Sequence, residues 1–321
     1  MPAPVVAGAS FRAGIRSEVL ATYQRQYAGI QAQLGGAMTF DVPSDKRSEF
    51  YFYYESAPHI QRWIYGEAVP EKGFRGIQYE VINRRWGEAI TWQADDEADD
   101  QTRSLVSHAQ GLGQSAAFLD ERVFFQIIRE DTADVALLPS IPNAPDGNAI
   151  WFATRFGATS GNLMTGTGVA TAAAVRTDYW AIREQFKLFQ DTEGQPLFDS
   201  SVTDGPALVI YGAANEEVFA EAFLREIIQG TSAGISDEIR ASGKTPVLLS
   251  TQRITDNDWW AFMSNARIKA VMGQTRESIR EDRATEANSD IARKFDERSI
   301  RFKMRKGYGI NLPTGGIKNN N

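Results

Sequence analysis

Few residues in this chain have the type and spacing that chemistry needs, and each of those lacks a partner its reaction would require. Ser242-Gly243-Lys244-Thr245 matches the end of a phosphate-binding loop. Such a loop cradles phosphates with backbone N–H groups and a lysine, and it opens a helix. Here Glu238 stands where its first glycine belongs, and Pro246 with an apolar run follows, so a polar turn before a strand is expected. Gly111-Leu112-Gly113-Gln114-Ser115-Ala116 imitates a dinucleotide fingerprint, but it falls inside a helical pattern with no strand before it. Its glycines are read as marks of close helix packing or a bend. His59 and His108 are the only histidines, and neither has HExxH spacing or a GxSxG serine elbow to serve. Asp95 to Asp100 (DDEADD) lacks the glycine and closing glutamate of a calcium loop; it reads instead as charge at the start of a helix.

Composition narrows the classes further. The 321 residues include no cysteine, so disulfides, thiolate nucleophiles and cysteine metal sites are excluded. With 42% hydrophobic and 23% charged residues the chain can bury a sizeable core. No apolar run approaches the roughly 18 residues of a membrane helix, and the start shows no secretory pattern. The net charge of −7 argues against a protein whose main task is gripping nucleic acid. Both ends are nevertheless basic. Arg12, Arg16 and Arg25 face Glu18 alone in residues 1–40, and eight lysines and arginines occupy residues 290–321.

The elements that would hold any site read as follows. Residues 1–10, small and apolar, suggest an extended arm. Val19, Tyr23, Tyr27 and Ile30 predict an amphipathic helix over Ser17–Gln33, ended by Gly35-Gly36. Phe50, Phe52 and Tyr54 alternate with Tyr51, Tyr53 and Glu55, and residues 77–82 and 89–92 alternate again. A long two-stranded excursion with its tip near Pro70–Gly73 follows from that pattern. A hairpin of this length is marginal alone in water, so it must lie on something. Leu105, Leu112, Ala116, Leu119, Val123, Phe124 and Ile127 predict a long spine helix. A helix over Asp178–Asp191, a buried strand at 207–211, a helix from Asn215 and strands at 247–250 and 259–262 come next. Residues 276–294 lack an apolar stripe and suggest a loop or solvated helix. Ser299–Leu312 reads as a strand with one basic face, and the terminal asparagines read as frayed. That basic face suits either phosphate contact or salt bridges to an acidic neighbour.

An oversized hairpin, a spine helix, many aromatics and no site describe something that binds itself. Four stretches then carry a resemblance to the Mu-type phage major head proteins, within the Hong Kong 97 capsid fold. Tyr51 to Glu67 (YFYYESAPHIQRWIYGE) is similar to that family's segment of aromatics, proline and Arg-x-Trp-x-Gly-Glu. Tyr79 to Ile90 (YEVINRRWGEAI) resembles the strand after it, and Asp258 to Lys269 (DWWAFMSNARIK) a later segment. Phe302 to Leu312 (FKMRKGYGINL) looks like the closing Arg-x-Gly-Tyr-Gly strand. Near 146–162 the chain departs from the family pattern. Asp146-Gly147 and Trp151-Phe152 are present, but Arg155-Phe156-Gly157 replaces the usual His-Pro portion.

The resemblance implies an α+β subunit with an N-terminal arm (1–45) and an extended E-loop (46–94). It also implies a peripheral domain (95–138 and 295–321) and an axial domain (139–294). The function it implies is that of a tailed-phage major capsid protein, forming pentamers and hexamers of an icosahedral head around double-stranded DNA. No catalysis, cofactor or metal is expected. Tyr51, Tyr53, Arg62, Trp63, Glu67, Glu71, Lys72, Phe74 and Arg75 would form the subunit interface. Arg12, Arg16, Arg301, Lys303 and Arg305 would face the interior and touch packaged DNA without sequence readout. A separate scaffolding protein and a portal are the other expected partners, with no membrane contact. The protein would be made in the host bacterial cytoplasm and reside in the virion. Two alternatives are an encapsulin-like compartment shell and a soluble enzyme with an unrecognised site.

Overall fold

Ile15, Val19, Tyr23, Ile30 and Leu34 lie on one face of a helix and all are buried. A computed structural model places them on α1 (Ala7–Leu34). It describes residues 7–54, 76–93, 95, 104–155, 161–191, 194–224, 243–284 and 297–321. The helix therefore begins at Ala7, inside the stretch 1–10 expected to be extended, whose residues 1–6 lie outside the described residues, and its apolar face from Ile15 onward has a partner to cover it. That partner is the spine, α2 (Ser104–Ala117) and α3 (Leu119–Ile128). Phe118 joins the two, and the bonds Phe118 N–H to Gln114 O and Arg122 N–H to Phe118 O carry the helical ladder across the joint. At Gly113 an added Cβ would lie 2.5 Å from the Val19 carbonyl oxygen, so this glycine permits close approach of α1. Gly111 has open space around it.

The helices cover one face of a four-stranded sheet with the order β1 (Met38–Pro43), β9 (Val271–Ala284), β10 (Glu297–Ile310), β4 (Arg84–Gln93). Ile300, Phe302, Met304, Lys306, Tyr308 and Ile310 of β10 all point into that layer and are buried. β9 corrects the loop or solvated helix expected over 276–294 as far as Ala284; residues 285–294 lie outside the described residues. Its charged residues find cross-strand partners of opposite sign on β10, which stabilise a solvated sheet face without apolar side chains. β4 also differs from expectation. It belongs to this sheet, paired along its whole length with β10, and only β2 (Ser48–Tyr54) and β3 (Gly76–Ile82) form the two-stranded excursion.

A second sheet has the order β5 (Leu163–Thr165), β11 (Gly316–Asn320), β8 (Trp259–Met263), β6 (Ala207–Gly212), β7 (Val247–Thr251). β6 and β8 read as unbroken apolar runs because both of their faces are covered. Leu208, Ile210, Trp260 and Phe262 pack toward the spine. Val209, Tyr211, Trp259 and Ala261 pack against α4 (Ala172–Leu188) and, beyond the short α5 (Ser200–Thr203), α6 (Glu216–Phe223). Thr171 caps α4 by accepting from Ala174 N–H at 3.2 Å. Asn215 precedes α6 as expected but makes no side-chain cap bond. The terminal asparagines, expected to fray, lie in an interior strand. Asn319 donates to Asp178 at 2.9 Å and is 1% exposed, and Lys318 pairs with Asp258 at 2.8 Å. β10 and β11 thus tie the two sheets together.

Candidate assembly surface

The root of the excursion has two unlike faces. β2 and β3 pair in register from Ser48↔Ile82 to Tyr54↔Gly76, so odd-numbered residues share one face and even-numbered residues the other. The odd face is anchored to the subunit's own sheet. Tyr51 donates its hydroxyl to Gln274 at 2.7 Å, the Tyr79 hydroxyl accepts from Ile310 N–H at 3.1 Å, and Val81 is 1% exposed. The even face carries Phe50, Phe52 and Ile82, which are 53%, 63% and 45% exposed. The structure therefore places Tyr51 and Tyr53 on the inward face, and Phe50 and Phe52 are the aromatics offered outward. Beside Phe52 a groove runs along Leu197, Phe198, Val202, Ile268 and Leu312. The remaining interface candidates, Arg62, Trp63, Glu67, Glu71, Lys72, Phe74 and Arg75, lie outside the described residues, as does His59.

The basic residues fall into two layers. Arg12 and Arg16 belong to the helix layer, where Arg16 approaches Glu281 at 3.8 Å. Arg301, Lys303 and Arg305 alternate onto the opposite face of the sheet. The group expected to face DNA therefore lies on both sides of the sheet. The β10 set is also largely matched within the subunit. Arg301 and Lys303 both bond Asp282, holding its carboxyl down to about 2. Arg305 lies 3.2 Å from Glu277, which Arg280 also holds at 3.0 Å. Burial pushes the Glu277 carboxyl up, but these cations outweigh it and leave it below the usual range.

On the inner face of β10 a buried network braces strand to spine. Lys306 Nζ lies 2.7 Å from Asp120 of α3 and 3.1 Å from the Tyr27 hydroxyl of α1, and both Lys306 and Asp120 side chains are 3% exposed. The Tyr308 hydroxyl donates to the other Asp120 oxygen at 2.5 Å. Burial first, then the Asp120 charge, pushes the Tyr308 and Tyr27 phenols well above their ordinary values. A carboxylate and an ammonium matched this fully hold three elements in one register.

The residues read for chemistry have structural roles. Gly243 adopts φ +69° in a turn, Tyr179 donates to the Lys244 carbonyl at 2.7 Å, and β7 follows; no helix opens there. His108 is exposed on α2. Arg155, at the departure from the family pattern, is 2% exposed and bonds Asp146, Asn162 and the Ala149 and Ile150 carbonyls. Asn162 in turn donates to the Pro313 carbonyl at 2.9 Å, so this arginine organises the loop from within. Among the described residues there is no group of side chains that could hold a metal and no helix long and apolar enough to cross a membrane.

Comparison with known proteins agrees with this arrangement. Residues 13–135 match the family described as Mu-like prophage major head subunit gpT. No curated protein matches the chain by sequence. Among solved structures, the capsid of the cyanophage P-SCSP1u is similar with a TM-score of 0.56 at 12% identity, over 88% of this chain and 86% of that one. The mature capsid of bacteriophage PhiM1 gives 0.56 at 10% identity, over 89% and 85%. A virus-like particle from Pyrococcus furiosus gives 0.53 at 12% identity, over 96% and 99%. The chain thus has the Hong Kong 97-type fold of these phage capsids, and residues 13–135 are similar to the Mu-like major head subunit family.

Proposed function

We propose that this chain is the major capsid protein of a tailed bacteriophage and that its work is done at subunit interfaces. One observation carries the reading. The root of the excursion is fixed to its own body on one face and leaves Phe50, Phe52 and Ile82 uncovered on the other. Apolar surface gains about 25 cal/mol per Å2 when it leaves water, and a second copy laid over this face supplies that gain. Contacts of different patches on successive copies generate closed rings, which fits pentamers and hexamers of one subunit. The E-loop over 46–94, the arm over 1–45, the peripheral domain over 95–138 and 295–321 and the axial domain over 139–294 are the divisions this reading adopts. The segment 55–75, with Arg62, Trp63, Glu67, Glu71, Lys72, Phe74 and Arg75, then completes the contact. A scaffolding protein, a portal and packaged DNA are its further partners. Arg12 and Arg16 are the cations it assigns to the interior, since Arg301 and Lys303 are already paired with Asp282.

Deleting residues 68–76 tests the reading. The subunit should remain folded by circular dichroism while closed particles disappear from electron micrographs; particle yields equal to the wild type would refute it. The full-length match to the archaeal virus-like particle supports a second reading, an encapsulin-like compartment. Particles purified from cells decide between them: double-stranded DNA and a portal vertex indicate a phage head, protein cargo a compartment.

A further inference from the structure

Four arginines converge where the excursion leaves the body. Arg47, Arg85, Arg276 and Arg305, with Asn83, line an open cavity of about 420 Å3. The backbone delivers these side chains there. Asn83 N–H donates to the Arg47 carbonyl at 2.9 Å, and the Asn83 amide donates to Ser44 Oγ at 2.7 Å and to the Lys46 carbonyl at 2.8 Å, which fixes the turn that carries Arg47. Arg85 stands directly opposite Arg305 on the paired strands. Between Thr275 and Glu277 the ladder with β10 slips by one residue, and Arg276 is the residue so displaced. Such a bulge re-aims a side chain.

This arrangement is unfavourable in an isolated subunit. Like charges directly opposite on neighbouring strands repel. Arg47, Arg85 and Arg276 have no carboxylate partner among the described residues; Glu277, beside Arg305, is the carboxylate at the edge. Arg305 Nε is buried and lies 3.2 Å from Glu277 without hydrogen-bond geometry, so that one carboxylate does not saturate it. Guanidinium forks are built for bidentate pairing with planar oxyanions, so the missing component is an anion.

We propose that this pocket is an inter-subunit ion-pair site that receives carboxylates of a second copy of this chain. The inference rests on the capsid reading and names a partner for its interface. Position favours a protein partner over DNA. The pocket opens on the sheet face opposite the helix layer that carries Arg12 and Arg16. It also adjoins the outward apolar face: Ile82, 45% exposed, precedes Asn83, and Ser48 pairs with Ile82 next to Arg47. An apolar centre flanked by arginines is the composition of a protein interface. A subunit of net charge −7 has carboxylates to offer, and identical acidic copies need such cationic seats to approach one another.

The test compares wild type with Arg85→Gln/Arg276→Gln and Arg85→Glu/Arg276→Glu, assembled without DNA and followed by light scattering and electron microscopy over a salt series. Both variants should melt, as unassembled subunits, at or above the wild-type temperature, because repulsion has been relieved. Their apparent association constant should fall by about tenfold or more at low salt, and the gap should close at high salt. A lower melting temperature in the unassembled Gln variant would overturn the proposal by showing that the arginines are matched within one subunit. Wild-type yields of empty shells from the Glu variant would overturn it while leaving the capsid reading intact. Wild-type yields of empty shells together with loss of DNA-filled heads in infected cells would make the pocket a phosphate site and overturn it as well. Absence of shells from the wild type both in the purified assay and in the cells that make it would sink the capsid reading and this inference together.

Discussion

Lys306 and Arg305 are neighbours on β10, yet the two faces of that strand treat their cations in opposite ways. Lys306 points inward, is 3% exposed, and finds Asp120, Tyr27 and Tyr308 around it. Arg305 points outward, stands opposite Arg85, and shares one carboxylate with Arg280. The same contrast holds for the aromatics of β2. Tyr51 turns inward onto Gln274, while Phe50 and Phe52 turn out to solvent. One side of the sheet is complete within the subunit, and the other is the side we propose a partner completes. On the proposed capsid reading both are needed, since the body must fold before assembly and the contact face must stay open until then.

Substitutions that break the inner face should show the largest effect on the subunit alone. Replacing Lys306 with Met leaves Asp120 buried without its cation and should cost about 3–5 kcal/mol in urea unfolding. Adding Asp120→Leu should recover much of that loss, because an apolar pair of similar volume often replaces a buried ion pair well. A single-variant loss below about 1 kcal/mol would mean that the network is more hydrated than its 3% exposure implies. Next in size comes Gly113→Ala. Its new Cβ would press on the Val19 carbonyl and push α1 off the spine, at about 1–3 kcal/mol. Thermal unfolding measures this, and an unchanged melting temperature would show that α1 can shift without cost.

The smallest effect belongs to the outer face. Lys303 and Arg301 hold the Asp282 carboxyl at about 2, below its ordinary 3.8. Its contribution is therefore present above pH 3.8 and is lost as pH falls toward 2. Asp282→Asn should flatten the acid limb of the stability curve over that interval and leave neutral pH nearly unchanged, since exposed pairs contribute little. An acid limb identical to the wild type would show that the pairing does not persist in solution.

Much of this arrangement was legible in the residues, where local periodicity decided it. Val19, Tyr23 and Ile30 marked α1, the β6 and β8 runs read as buried strands, and the alternation of β2 marked the excursion. What escaped depended on partners distant in the chain. Period-two alternation separates Phe50 and Phe52 from Tyr51 and Tyr53 but does not say which set faces inward. Tyr51 marks the inward set, because its hydroxyl reaches Gln274, 223 residues away. The part of β9 from residue 276 looked like a loop or solvated helix, since its glutamates and aspartate become strand residues only opposite the cations of β10. The terminal asparagines looked frayed because Asp178 and Asp258, which hold them, lie far upstream. The excursion was overextended for the same reason: β4 alternates as β3 does, and only its pairing with β10 assigns it to the body.

The central claim is that the outward face of β2 and β3 is open because another copy covers it. Electron microscopy of purified wild-type protein beside Phe50→Ser/Phe52→Ser tests it directly, with melting temperature as the control for folding. The expected result is closed shells from the wild type and only free subunits or small oligomers from the variant, at similar melting temperatures. Shells of equal yield from both proteins would contradict it.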